Sequence, residues 1–71
     1  MMKGWSVVYK TPIHSRAEIV KGVLTEWEID AVLINKKDSS IHMPLDQVEV
    51  LVPSDQVLIA LKIIRDYIKF E

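Results

Sequence analysis

The sequence predicts a small α+β domain in which two helices pack on one face of a three-stranded antiparallel sheet. Stretches of period-two apolar alternation stand apart from stretches with a period of three and four, so strands and helices separate along the chain in the order β-α-β-β-α. All three prolines, Pro12, Pro44 and Pro53, fall between those stretches and none inside one. The 71 residues suffice for one hydrophobic core, so both helices must cover the same sheet, and residues 1–71 read as a single domain.

Trp5 to Lys10 reads as the first strand, because Trp, Val and Tyr favour extended backbone. At period two, Trp5, Val7 and Tyr9 fall on one face and Ser6, Val8 and Lys10 on the other. Thr11-Pro12 breaks the strand. Ser15-Arg16-Ala17-Glu18 has the spacing of a capping box, so a helix is expected from there to Trp27. Ala17, Val20, Val23, Leu24 and Trp27 recur at helical spacing and should face the sheet. Gly22 falls opposite them, where it costs about 1 kcal/mol relative to Ala and has no packing role.

Asp30 to Asn35 reads as the second strand, carrying the apolar run Val32-Leu33-Ile34. Lys36 to Ser40 interrupts it as a polar loop that Pro44 closes. Gln47 to Val52 then alternates cleanly, with Val48, Val50 and Val52 on one face and Gln47, Glu49 and Leu51 on the other, which suits a central strand. Pro53 ends it. Ser54 or Asp55 is placed to cap a last helix of about Gln56 to Phe70, with acid at its positive end.

That last helix carries more apolar surface than one interface requires. Val57, Ala60, Leu61, Ile64 and Ile68 form a stripe for the core, while Ile59, Ile63 and Phe70 form a second stripe beside it, either a flank covered by the first helix or a docking surface. Right-handed crossovers and the alternation of the third strand give the spatial strand order 1-3-2. This is the ferredoxin-like arrangement with its fourth strand absent, which leaves the outer edge of the first strand open. Three surfaces are therefore expected to meet a partner: that edge, the open sheet face around Val8 and Leu51, and the stripe of Ile59, Ile63 and Phe70.

Composition narrows the functional classes. Hydrophobic residues make up 49% and charged residues 27%, ordinary for a globular domain, and no cysteine is present for a disulfide or a thiolate metal site. Nine basic residues are balanced by ten acidic ones. That balance argues against a nucleic-acid partner or an anionic membrane, both of which select concentrated Lys and Arg. The open face of the third strand, Gln47, Glu49 and Leu51, also lacks the aromatic residues on which bases stack. Met1-Met2-Lys3-Gly4 leads directly into a strand without a signal-like or membrane-spanning stretch, so a cytoplasmic location is expected.

The loop Lys36-Lys37-Asp38-Ser39-Ser40 is the one candidate ligand or partner loop, since two ammonium groups and two hydroxyls can hold a phosphate or carboxylate. The same residues also suit any solvated hairpin tip. His14 and His42 are the only histidines and lack the further ligands zinc requires, so no metal site is expected. No nucleophile, base and carboxylate fall into a triad, and Gly4 and Gly22 form no phosphate-binding loop. An enzyme is not expected, nor a cofactor.

Ala17-Glu18-Ile19-Val20-Lys21-Gly22-Val23-Leu24, Ala31-Val32-Leu33-Ile34-Asn35-Lys36-Lys37-Asp38-Ser39-Ser40 and Val48-Glu49-Val50-Leu51-Val52-Pro53 resemble the prokaryotic signal-transducing protein family, small bacterial domains of unknown function related in shape to the PII nitrogen regulators. The resemblance runs from Trp5 to about Ile68, and Asn35 to Ser40 is its most specific piece. Where members of that family carry an aromatic residue and a glycine-containing turn after the two serines, this chain has Ile41-His42-Met43-Pro44-Leu45. The resemblance implies a ferredoxin-like fold and a regulatory role in which the loop between the second and third strands signals. The expected function is thus a small regulatory or protein-interaction module, a homo-oligomer or one bound to another protein, with a small anionic effector possible. The alternative is a self-associating structural subunit without a ligand.

Overall fold

Val48, Val50 and Val52 are all buried, and the strand that carries them is the middle one. The computed structural model describes residues 3–37 and 46–70. The elements are β1 (Trp5–Thr11), α1 (His14–Glu26), β2 (Val32–Lys37), β3 (Asp46–Pro53), a 3₁₀ turn (Ser54–Gln56) and α2 (Val57–Tyr67). The sheet order is β1-β3-β2 and both pairings are antiparallel, the ferredoxin-like order with no fourth strand among the described residues. The core lies between one face of β3 and the two helices, and joins Val48, Val50 and Val52 to Ala17, Val20, Leu24, Ile29, Ala60 and Ile63.

β1 departs from simple alternation. Val7 pairs with Leu51 and Tyr9 with Val50, so Val8 is the extra residue of a β-bulge. The bulge changes the phase of the strand. Trp5, Val7 and Lys10 share the face of Leu51 and Glu49, whereas Ser6, Tyr9 and Thr11 share the helix-side face of Val52, Val50 and Val48. Val8 itself is half-buried and packs against the core. The expected grouping of Trp5, Val7 and Tyr9 on one face is therefore corrected, because one inserted residue reverses every later position in a period-two pattern.

α1 begins one residue before the expected Ser15. Ile13 is its N-cap residue and supplies no side-chain cap, while the Thr11 hydroxyl accepts a hydrogen bond from the Ile13 N–H at 3.0 Å. Ser15 lies inside the first turn, so the expected capping box does not form. The carboxyl end closes as a Schellman motif: Glu28 N–H donates to the Thr25 carbonyl at 2.9 Å and Ile29 N–H to the Leu24 carbonyl at 3.0 Å. Glu28 takes the left-handed conformation at φ 62°, and the turn carries Ile29 into the core beside Leu24.

α2 is rotated relative to its expected placement. Ala60 and Ile63 are buried, at 0% and 4% exposure, while Leu61 is 44% exposed. At roughly 100° per residue, Ile63 and Leu61 point to opposite flanks of the stripe centred on Ala60. The flank that turns inward carries Ile63, which joins the core cluster with Ala17, Val20 and Leu24 of α1. Past α2, Phe70 folds back on the sheet: its ring lies 6.0 Å from that of Tyr9, with the Arg16 guanidinium 4.9 Å from its centroid.

Candidate functional site

Two surfaces combine apolar and charged groups. The first is a groove on the helix side, about 200 Å³ in volume, lined by Trp27, Ile59, Lys62, Ile63, Asp66 and Tyr67. Helical spacing explains the α2 contribution, because positions 59, 62, 63, 66 and 67 fall along one side of a helix. Trp27 arrives from the C-cap of α1, held by its N–H donating to the Leu24 carbonyl at 3.1 Å. Its ring lies 5.2 Å from that of Tyr67 with the planes 40° apart, a tilted pair that closes one end of the groove.

The groove is accessible. Trp27 is 49% exposed, Ile59 53% and Tyr67 62%, while buried Ile63 forms the floor. Lys62 and Asp66 stand one helical turn apart and supply one charge of each sign. Asp66 Oδ1 also accepts a hydrogen bond from Arg65 Nε at 3.0 Å, and this bond raises the Arg65 pKa above its ordinary value. The lining offers aromatic and aliphatic contact with a cation and an anion in fixed sequence. It contains no serine, threonine, cysteine or histidine.

The second surface is the sheet face turned away from the helices. By register it carries Trp5 and Val7 of β1, Glu49 and Leu51 of β3, and Val32, Ile34 and Lys36 of β2. Glu49 is buried and bracketed by two lysines, with Lys10 Nζ 3.6 Å from Oε2 and Lys36 Nζ 3.6 Å from Oε1. Lys10 lies directly across from Glu49 and Lys36 diagonally, so adjacent strands bring the three charges together.

The residues singled out from the sequence are distributed over both surfaces and the core. Lys36 and Lys37 belong to β2 and not to a loop, because they pair with Gln47 and Asp46 of β3. Asp38, Ser39, Ser40 and His42 lie outside the described residues. Leu51 is only 1% exposed, set between Val7 and Val32 in the sheet. Of the apolar residues expected at an interface, Ile59 stands open in the groove, Ile63 is its floor and part of the core, and Val8 and Phe70 are half-buried against the core. His14 Nε2 lies 3.6 Å from Glu18 Oε1, one turn along α1.

Trp27, Lys62, Asp66 and Tyr67 are site residues that the sequence pattern does not single out. Tyr67 follows Ile59 and Ile63 at successive intervals of four, a signal legible in the sequence. Trp27 has none, since its helical spacing places it on the core side and only the turn after α1 exposes it. Among the described residues, no group of three or more His, Cys, Asp or Glu is placed to hold a metal ion, and no helix is long and apolar enough to cross a membrane. In comparisons with known proteins, no family model, curated protein or solved structure matches the chain.

Proposed function

We propose that this chain is a non-catalytic protein-interaction module whose docking surface is the groove between α1 and α2. The observation that carries the reading is the exposed Trp27–Tyr67 pair above the apolar floor at Ile63. Protein interfaces concentrate Trp and Tyr at the centre of the contact with polar groups around it, and a few such aromatic anchors carry much of the binding energy. The open edge of β1 is the weaker candidate. Its bulge at Val8 twists the strand and Pro12 follows directly, two devices that blunt an edge against further pairing. A signalling role for Lys36 to Ser40, with a small anionic effector, rests on the charge and hydroxyl content of that segment, its place in the chain from the end of β2 toward β3 and the family resemblance.

Ile59→Asp tests the reading, because it puts a charge in the groove at an exposed position. In an extract of the native cell the wild-type chain should elute in a species larger than its own 8.2 kDa. The variant should return to that mass with its thermal melt unchanged. A wild-type chain that elutes alone, or a variant that elutes with the wild type, overturns the proposal.

A further inference from the structure

We infer that the occupant of the groove is a second copy of this chain, docked about a two-fold axis with the two α2 helices antiparallel. The inference rests on the groove being a docking surface and adds the identity of the partner.

The charges decide it. Lys62 and Asp66 are one of each sign on the same face of one helix, so the lining itself carries no net charge, and the neighbouring Arg65 cation is held on Asp66. The lining is complementary to itself. When two copies of α2 run antiparallel with the axis near residue 64, Lys62 meets the partner's Asp66, and symmetry repeats the contact on the other side. Asp66 accepts from Arg65 through Oδ1, and a carboxylate has a further oxygen to offer. The same alignment lays Ile59 within about half a turn of the partner's Tyr67, so the aliphatic end of each groove meets the aromatic end of the other. An isologous interface requires this property, because every contact must occur twice with the roles exchanged. Charge pairs of this kind set register and orientation, while the apolar contacts of Ile59, Trp27 and Tyr67 supply the affinity. The size of the chain fits as well, since a domain this small gains core by association.

Sedimentation equilibrium on the purified full chain tests the inference. The wild type should reach twice 8.2 kDa in the micromolar range. Lys62→Asp and Asp66→Lys each place like charges opposite one another and should weaken the dimer at least tenfold. An equimolar mixture of the two variants should form a dimer again, as should the chain carrying both changes, which also shows that each variant is folded. A wild type that stays at 8.2 kDa up to millimolar concentration, or single variants that dimerise as well as the wild type, would overturn the inference. If the purified chain is monomeric yet Ile59→Asp still releases it from a larger species in the native extract, the second copy is excluded and the docking surface stands. If the extract also contains only the free chain, both readings fail.

Discussion

The Lys36 ammonium at the end of β2 stands 3.6 Å from Oε1 of Glu49 on β3. Lys10 of β1 holds the other oxygen at the same distance, so one buried carboxylate ties together all three strands of the sheet. A single exposed ion pair contributes little, but a carboxylate withdrawn from water is costly once its partners are gone.

Lys36→Ala should therefore lower stability by about 0.5–1 kcal/mol, since Lys10 still faces Glu49 and both lysines remain half in water. Lys10→Ala with Lys36→Ala should cost about 2–3 kcal/mol, more than the sum of the single changes, because only the pair leaves Glu49 without a counter-charge. Urea denaturation of the four chains of this cycle measures the coupling. Strict additivity would show that Glu49 reaches water without its lysines.

Gly22→Ala should stabilise the protein by about 1 kcal/mol, the difference in helix propensity. A Cβ placed on Gly22 meets nothing within 4 Å, and the residue lies in the middle of α1 on its exposed side. A rise in the thermal midpoint with no change in oligomeric state is the expected result. A fall would mean that another chain approaches the backbone there.

Ile63→Asp should unfold the chain, whereas Leu61→Asp should change its stability by no more than about 1 kcal/mol. The two positions are chemically alike and two residues apart, but Ile63 is buried in the core and Leu61 is exposed. Burying an unpaired carboxylate costs several kcal/mol, a large part of what a domain of this size has. Far-UV circular dichroism of the two variants separates these outcomes, and equal damage from both would place α2 in a different rotation.

The elements themselves are legible from residue order. The alternating valines of β3 mark a strand that needs a buried face, and Pro12 and Pro53 mark where β1 and β3 end. The same periodicity marks Gly22 as a surface position and Ala17, Val20 and Leu24 as the core side of α1, because local pattern and burial agree at those residues. The candidate site is legible only in part. Ile59, Ile63 and Tyr67 announce a helical stripe, but Trp27 joins it through the Schellman turn at Glu28, whose left-handed conformation no residue type there demands.

The order of the strands and helices, the central place of β3 and the apolar character of both helices belong to the sequence alone, since each follows from a local period and its interruptions. The phase of β1 does not. The apolar run Val7-Val8-Tyr9 fits either phase, and pairing with β3 places the bulge at Val8, with Val7 opposite Leu51 and Tyr9 opposite Val50. The rotation of α2 is of the same kind: two adjacent apolar stripes are equally good in isolation, and packing in the core buries Ile63 and leaves Leu61 exposed. Lys36 joins a strand because Gln47 is there to pair with it, and Glu49 is buried because lysines reach it from both neighbouring strands. Periodicity marks which segments are strands and which are helices. Which face turns inward is settled by contacts between segments far apart in the chain, where packing volume and charge pairing outweigh local preference.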